Sequence, residues 1–152
     1  MTKLNIGDKA PDFNGVDQNE NKLTLDSFAG KNLIIYFYPK DDTPGCTAEA
    51  CDLRDNYHMW LEKGYAVVGI SPDGIESHQK FATKYTLPFP LIADPEKEII
   101  KAYGAWGLKK LYGREYEGLL RMTFVIDQQG VIKQIFDKVK TKEHTQQILK
   151  TL

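Results

Sequence analysis

Cysteine is scarce in this sequence, which has two, Cys46 and Cys51, among 152 residues. Two thiols are too few for the disulfide framework of a small secreted protein. In a cytosolic protein, such a pair is more often reactive or metal-binding than a structural staple. The two cysteines are therefore the first candidates for chemistry in this chain.

An excess of charge and long apolar runs are also missing. The net charge of −1 leaves no basic excess for nucleic acid or for an anionic membrane surface. No apolar run approaches the roughly 20 residues of a membrane span, and residues 1–9 contain no apolar signal segment. We therefore expect a cytoplasmic protein with no nucleic-acid and no membrane partner. Because a dinucleotide fingerprint and a Gly-rich phosphate loop are absent, no cofactor is expected.

Short apolar segments and amphipathic segments alternate along the chain. Two segments, residues 33–38 and 66–70, are apolar throughout and are expected to be strands buried on both faces. Further strands are predicted at residues 13–16, 23–25, 91–93, 122–126 and 131–136, and helices at 43–64, 77–85, 94–103 and 141–152, with one helical turn at 26–30. This order predicts an α/β protein, one domain over residues 1–152, whose mixed central sheet is flanked by helices and an N-terminal hairpin. By analogy it resembles a thioredoxin-like fold.

Cys46 is predicted at the start of a helix, just after the first central strand. With Thr43 as N-cap and Pro44 in the first helical position, Cys46 is the third helical residue. The Thr43 hydroxyl is then expected to donate to the Cys46 sulfur or to accept from the Cys46 N–H, as in a capping box. The free N–H groups of the first turn also favour a thiolate. The alternative is an inert core thiol, because Cys46 shares a helix stripe with Ala50 and Leu53.

Pro39, Thr43 and Cys46 form a Pro-x-x-x-Thr-x-x-Cys pattern after a buried strand, which resembles the active-site motif of the peroxiredoxins. Residues 42–47, with Cys51 five positions beyond Cys46, resemble the bacterioferritin-comigratory-protein or peroxiredoxin Q branch. Similar segments occur at residues 7–13, near the start, and at 104–107 and 121–127, late in the chain, so the resemblance covers almost the whole chain. It implies a thioredoxin-like fold and an antioxidant peroxidase that reduces hydrogen peroxide and organic hydroperoxides without cofactor or metal.

The resemblance also implies roles for individual residues. Cys46 would be the peroxidatic cysteine, whose thiolate attacks a peroxide oxygen and becomes a sulfenic acid. Thr43 and Arg121 would supply donors for the developing negative charge, and Pro39 would stiffen the loop. Arg121 is expected to open a strand, and Glu49 to orient it. Without the resemblance, Arg121 would be interpreted as a surface strand-edge charge, and Glu49 could equally be a solvated helix charge.

Cys51 lies too far from Cys46 for a disulfide on a regular helix. Residues five apart differ by about 7.5 Å of rise and about 140° of turn, so their Cα atoms lie roughly 8–9 Å apart, beyond the ~7 Å limit for a bridge. Cys51 is therefore either a structural thiol, with Cys46 recycled by an external thiol, or a resolving cysteine that acts after the helix unwinds. The resemblance implies the second, with thioredoxin or a similar reductant as partner and a monomeric protein.

Two other interpretations of the cysteines are open. A metal site of Cys46, Cys51 and His58 would lack a fourth ligand at zinc spacing, so no metal is expected. Four residues separate the cysteines, which is not the Cys-x-x-Cys spacing of a general disulfide oxidoreductase. A non-enzymatic protein that uses the thiol pair as a redox switch for a binding partner is the alternative to a peroxidase.

Overall fold

The computed structural model describes residues 3–152, and a seven-stranded mixed sheet forms its centre. The strands are β1 (Asn14–Val16), β2 (Lys22–Thr24), β3 (Asn32–Phe37), β4 (Tyr65–Ser71), β5 (Leu91–Ala93), β6 (Trp106–Leu111), β7 (Arg114–Leu119), β8 (Met122–Ile126) and β9 (Ile132–Phe136). The helices are α1 (Pro44–Asp55), α2 (Tyr57–Glu62), α3 (Ile75–Tyr85), α4 (Glu98–Ala102) and α5 (His144–Leu149), with 3₁₀ turns at Leu25–Phe28 and Thr141–Glu143. None of these helices has the length and apolar character needed to cross a membrane.

The strands lie in the order β2-β1-β5-β4-β3-β8-β9, with β6 and β7 paired separately. Strands β3, β4 and β5 are parallel, whereas β8 and β9 extend the sheet antiparallel on one side and β1 and β2 on the other. The predicted mixed sheet with an N-terminal hairpin is therefore confirmed. The parallel centre brings the carboxyl ends of β3, β4 and β5 to one edge.

The central strand β3 is buried on both faces, as its continuous apolar sequence predicts. Side chains alternate across a strand, so Ile35 and Phe37 enter one apolar layer and Ile34 and Tyr36 the other. Helix α4 covers the first layer, whereas α1, α2, α3 and α5 cover the second. Cys46 belongs to the second layer, where α1 packs against the sheet.

The helix predicted from Thr43 to Gly64 is in fact two helices. Helix α1 ends at Asp55, and α2 begins at Tyr57. At the junction, the Asn56 side-chain amide donates to the Asp52 carbonyl at 2.8 Å. Asn side chains compete with the helical backbone in this way, which explains the break.

The strand pair β6–β7 was not predicted. Its two-residue turn, Tyr112-Gly113, has φ angles of +52° and +75°, which match a tight hairpin turn of the mirror-image type. Residues 114–117 are exposed, so the pair has little of the apolar alternation that reveals a strand. The Tyr112-Gly113 dipeptide, as a possible turn, was the signal in the sequence that could have indicated this hairpin.

Helix α4 begins four residues later than predicted from Asp94. The Asp94 carboxylate accepts from the N–H groups of Glu98 at 3.1 Å and Ile100 at 2.9 Å. Lys97, with φ of +62°, turns the chain between Asp94 and the start of α4. Asp94 therefore caps the helix from a distance, across a turn rather than from the adjacent position.

The C-terminal helix α5 is attached directly to α1. The Asp52 carboxylate of α1 accepts from the Thr145 N–H at 2.7 Å, which satisfies a free donor in the first turn of α5. The Trp60 indole N–H donates to the Thr145 hydroxyl at 3.3 Å. The first contact holds the C-terminal segment against the helix that carries both cysteines, and the second holds it against α2.

Candidate active site

Cys46 is the third residue of α1, after the Thr43 N-cap, as the sequence predicted. Its side chain is fully buried and packs among Tyr36, Tyr38 and Ala50. Its sulfur is nevertheless in contact with a charged group, because Arg121 Nη2 lies 3.3 Å from Cys46 Sγ. The environment of Cys46 is therefore not the purely apolar core that the interpretation as an inert thiol requires.

The guanidinium of Arg121 bridges Cys46 and Glu49. Its Nη1 donates to Glu49 Oε1 at 2.7 Å while Nη2 faces the sulfur. The Arg121 side chain is only 24% exposed and Glu49 is completely buried, so the interpretations of both as solvated surface charges are wrong. Burial raises the pKa of Glu49 to about 7, against the lowering effect of Arg121. Arg121 precedes β8 by one residue instead of opening it.

The Thr43 hydroxyl does not contact the Cys46 sulfur, contrary to the prediction. It donates to the Lys40 carbonyl at 2.8 Å and makes no side-chain capping bond. Asp42, in the left-handed region with φ of +57°, folds the chain back so that residues 40–43 form a closed turn. The Thr43 side chain therefore stabilises the turn between Pro39 and the helix.

Gly45 lies where the guanidinium approaches α1. A Cβ atom at this position would stand 3.3 Å from Arg121 Nη2. Such a contact is tight enough that the guanidinium would have to shift. The glycine thus leaves Arg121 room beside Cys46.

The loop before α1 is anchored by a buried network that sequence reasoning missed. Asp41 accepts from the Tyr38 hydroxyl at 2.6 Å and the Ser77 hydroxyl at 2.7 Å, and its Oδ2 lies 2.6 Å from His78 Nδ1. His78 Nε2 lies 3.0 Å from the Ile92 carbonyl. Ser77 and His78 come from α3, and Ile92 from β5, all far from Asp41 in sequence, so no local pattern indicated these members of the network.

Asp41, Asp73 and His78 also form a group of potential metal ligands among residues 3–152. Their ligand atoms are already committed, since Asp73 Oδ2 accepts from the Asp41 N–H at 2.8 Å and the Ser71 hydroxyl at 2.7 Å. This arrangement fits a hydrogen-bonded anchor. His58, the third member of the metal site weighed from the sequence, lies on the surface of α2 with Nε2 2.8 Å from Glu62 Oε1.

Cys51 lies on α1 with Cys46, and both are free thiols. It is half-buried, and burial raises the pKa of its thiol. Because both residues belong to one continuous helix, the helical separation of roughly 8–9 Å between their Cα atoms applies. A bridge between them requires α1 to unwind.

Comparison with known proteins agrees with this site. Residues 6–135 match the AhpC/TSA family. The chain is 44% identical over 149 residues to peroxiredoxin Bcp of Bacillus subtilis (strain 168), covering 98% of this chain and 95% of that protein. The chain belongs to the peroxiredoxins of the AhpC/TSA family. Peroxiredoxin Bcp of Escherichia coli (strain K12) is 41% identical over 152 residues, covering 100% of this peroxiredoxin and 97% of its relative.

Solved structures place this peroxiredoxin in the Bcp or peroxiredoxin Q branch. A cysteine mutant of Xylella fastidiosa PrxQ superposes with a TM-score of 0.91 at 28% identity, covering 99% of this chain and 96% of the other. A structure of Xanthomonas campestris bacterioferritin comigratory protein superposes with a TM-score of 0.85 at 33% identity, covering 91% of this chain and 88% of the other. It was solved to explain the alkyl peroxide reduction activity of that protein. The thioredoxin-like fold, the family and the enzyme class of peroxidase predicted from the sequence are confirmed.

Proposed function

We propose that this peroxiredoxin reduces hydrogen peroxide and organic hydroperoxides through a sulfenic acid at Cys46 and a Cys46–Cys51 disulfide, which a thioredoxin-type dithiol reopens. The observation that carries this proposal is the 3.3 Å contact between Arg121 Nη2 and Cys46 Sγ. A guanidinium is charged at every relevant pH and offers donors in a fixed plane, so it can stabilise a thiolate and hold a peroxide beside it.

In the first step, the Cys46 thiolate attacks one peroxide oxygen. The S–O bond forms as the O–O bond breaks, and the departing oxygen takes a proton and leaves as water or an alcohol. Cysteine is oxidised to sulfenic acid and the peroxide is reduced. Arg121 faces the negative charge that develops on the departing oxygen, and the Cys46 backbone N–H at the start of α1 is a second donor.

Thr43 and Pro39 support this step through the loop. Pro39 fixes the chain as it leaves β3, and the Thr43 hydroxyl closes the turn onto Lys40. Cys46 is thereby held in the first turn of α1, where free N–H groups favour a negative charge. Glu49, bonded to Nη1, orients Arg121.

Organic hydroperoxides are included as substrates on the strength of a relative and not of a pocket. A groove of about 990 Å³ is lined by Arg121 with Leu120, Met122 and Phe124, and also by the charged side chains of Lys3, Lys109 and Asp137, but Cys46 is not among its lining residues. The alkyl peroxide reduction activity of the Xanthomonas campestris relative supports the same substrate class.

In the second step, the Cys51 sulfur attacks the sulfenic sulfur of Cys46 and water leaves. Helix α1 unwinds between the two residues to bring them together. Burial raises the pKa of Cys51 in the folded helix, so exposure on unwinding increases the thiolate fraction of Cys51 as it becomes able to reach Cys46. A thioredoxin-type dithiol then reduces the disulfide by exchange and is itself oxidised.

The wider setting of the enzyme follows the sequence expectations. We propose a single-domain protein over residues 1–152 that lies in the cytoplasm. We also propose that it is a monomer, because one chain carries both of the cysteines that the cycle needs. Bacterial relatives that match this chain over their whole length support a comparable setting. Sedimentation velocity on the reduced and oxidised protein tests the monomer, and a dimer in either state would contradict it.

The test is peroxide consumption by the whole chain with thioredoxin, its reductase and NADPH. We expect many turnovers for the natural sequence and none for Cys46→Ser. Without reductant, peroxide should leave no free thiol, because both cysteines enter one intramolecular bridge. A response limited to one equivalent of peroxide, even with reductant, would favour a redox switch over a peroxidase.

Cys51→Ser separates the roles of the two thiols. This variant should consume one equivalent of peroxide to form sulfenic acid at Cys46, and a second equivalent, in excess peroxide, to form sulfinic acid, both of which mass spectrometry detects. If Cys51→Ser cycled with thioredoxin at the natural rate, Cys51 would be a structural thiol and an external thiol would resolve Cys46.

A further inference from the structure

The hydrogen bonds of His78, a buried residue of α3, show where its protons lie. Its Nε2 is 3.0 Å from the Ile92 carbonyl oxygen, which can only accept, so Nε2 carries a proton and donates it. Its Nδ1 is 2.6 Å from Asp41 Oδ2. In a neutral imidazole this second nitrogen would have only a lone pair, which would face an ionised carboxylate. Two acceptors do not approach so closely, so a second proton lies between them.

The second proton belongs to the imidazole rather than to the carboxyl group. Asp41 Oδ1 accepts from the Tyr38 hydroxyl at 2.6 Å, and Oδ2 accepts from the Ser77 hydroxyl at 2.7 Å. Burial raises the pKa of Tyr38 well above its usual value, so this hydroxyl keeps its proton. Hydrogen bonds donated to a carboxylate favour its ionised form. The pair is therefore an imidazolium and a carboxylate, whose side chains are 0% and 4% exposed.

Asp73 makes the positive charge of the imidazolium more necessary. Its Oδ2 accepts from the Asp41 N–H at 2.8 Å and from the Ser71 hydroxyl at 2.7 Å. One oxygen of each carboxylate and one nitrogen of His78 lie within 4.8 Å of one another. Two carboxylates so close together favour a cation beside them, and the protonated His78 ring supplies it.

The charged side chains on the solvent side of Asp41 are engaged with other partners. Glu76, Lys80 and Lys84 of α3 line a surface pocket together with Asp41. Lys80 Nζ is 3.4 Å from Glu76, and Lys84 Nζ is 2.8 Å from Asp42. Among residues 3–152, the Asp41 carboxylate thus has its ion pair with the His78 ring.

A second buried histidine, His144, needs only one ring proton. Its Nδ1 is 2.9 Å from the side-chain oxygen of Gln147, which also accepts from the Lys140 N–H, so Nδ1 donates. Its Nε2 is 2.7 Å from the Thr123 hydroxyl, which can donate to it. A neutral ring satisfies both contacts. His78 differs because it has an acceptor on each side.

The ion pair acts on the loop that starts α1. Residues 39–43 join β3 to α1, and Asp41, in the middle, is the buried member of this loop. The Thr43 hydroxyl closes the turn, and the Thr43 carbonyl accepts from the Thr47 N–H at 2.8 Å, which begins the helix. Cys46 lies in that first helical turn. A displaced Asp41 would therefore shift the turn and the thiol with it.

We propose that His78 is a positioning residue of the thiol site, because its second ring proton holds Asp41 and thereby fixes where Cys46 stands relative to Arg121. Loss of that proton or of its acceptor leaves one buried charge without its partner, which is costly. The loop relieves this cost by moving toward water. The contact of 3.3 Å between Cys46 Sγ and Arg121 Nη2 depends on the loop staying in place. The inference rests on the proposed function of Cys46.

Nitrogen NMR of the reduced full-length protein counts the ring protons directly. At pH 7, His78 should carry a hydrogen on both ring nitrogens, whereas His144 should carry one, on Nδ1. Contacts of the ring protons with Tyr38, whose ring centroid is 6.3 Å away, identify His78. A single proton on the His78 ring would overturn the proposal, and this result needs no variant to fold.

Two substitutions of Asp41 separate the role of the proton from that of the side-chain volume. In Asp41→Asn, the amide N–H groups can donate to Nδ1 of a neutral His78 and to the Ser77 hydroxyl, so the loop stays anchored. The second-order rate of Cys46 oxidation by hydrogen peroxide, measured by stopped flow, should remain within about threefold of the natural rate. NMR should show that His78 has lost its Nδ1 proton.

Asp41→Ala removes the acceptor and releases the loop. Its rate of Cys46 oxidation should fall by about 10–10²-fold, the usual effect of misplacing a reacting group. Amide hydrogen exchange should become faster at the Thr47 N–H in Asp41→Ala but not in Asp41→Asn, while β4 stays protected in both. Asp26→Ala, at an exposed position in the first 3₁₀ turn, is the control and should oxidise at the natural rate.

A natural rate of Cys46 oxidation in Asp41→Ala would overturn the positioning role. So would an Asp41→Asn variant that is as slow as Asp41→Ala, because the amide supplies the hydrogen bond that the ion pair makes. If the natural protein reduced no peroxide but showed two protons on His78 and the difference in exchange at Thr47, the proposed function would fail and the anchor of the loop would stand.

Discussion

Arg121 carries two contacts on one guanidinium, 3.3 Å to the Cys46 sulfur and 2.7 Å to Glu49. A buried charge that loses its partner is costly, so each of the three groups depends on the other two. Arg121 also lowers the pKa of Glu49 against the effect of burial. Removing the guanidinium should therefore drive Glu49 to its neutral form and leave the Cys46 thiolate without a counter-charge.

Arg121→Met tests this dependence. The second-order rate of Cys46 oxidation by hydrogen peroxide, measured by stopped flow at neutral pH, should fall by about 10²–10³-fold, the usual effect of losing one charge-stabilising donor. Arg114→Met is the matched control, because Arg114 lies exposed on β7. If both variants oxidise at the natural rate, Arg121 has no part in the chemistry.

At the scale of the elements, α1 both forms the site and has to come apart. Its first turn holds Cys46, and Cys51 lies in its middle. Opening of a helix end costs little where few contacts hold it. Here α1 is tied to α5 through Asp52 and Thr145, one residue beyond Cys51. This tie opposes unwinding, so it should limit the rate of disulfide formation.

Asp52→Ala should speed formation of the disulfide after oxidation of Cys46. The lost cap of α5 costs about 1 kcal/mol of stability, which corresponds to up to about a fivefold faster resolution step if all of it favours the unwound state. Rapid-quench mass spectrometry follows the step, and urea denaturation follows the stability. Glu62→Ala, at a largely exposed position on α2, is the control and should match the natural rate. Equal acceleration in both variants would show that α5 does not restrain α1.

At the scale of the whole molecule, Glu49 makes stability depend on pH. Its pKa rises from 4.5 in the unfolded chain to about 7 in the fold, chiefly because of burial. The folded state therefore binds the proton more tightly than the unfolded state, and stability declines as pH rises between these two values. A shift of this size corresponds to about 3 kcal/mol between the limits.

Glu49→Gln should reduce this decline. Urea denaturation at pH 5 and pH 8 gives the change in unfolding free energy for each protein, and the natural protein should lose about 2.5 kcal/mol more than the variant between these two pH values. Glu76→Gln, at a largely exposed position on α3, should behave like the natural protein. The same pH dependence in Glu49→Gln would show that Glu49 ionises normally in the fold.

The sequence alone indicated the fold class, the position of Cys46 and the need for α1 to unwind. Continuous apolar runs predict buried parallel strands, and Thr43 and Pro44 predict a helix start, because both signals are local. The break at Asn56 and the exposed β6–β7 hairpin escaped prediction, since one depends on a side-chain bond and the other has little apolar alternation.

Tertiary structure decided which charges meet at Cys46. Arg121 lies 75 positions from Cys46 and reaches it only because β8 pairs with β3. His144 arrives with α5, and Asp41 meets Ser77 and His78 of α3. The expected bond from Thr43 to the sulfur is absent because the Thr43 hydroxyl donates to the nearby Lys40 carbonyl instead. Local sequence sets which backbone positions can form a helix or strand, whereas burial and long-range pairing set the charge that a side chain carries there.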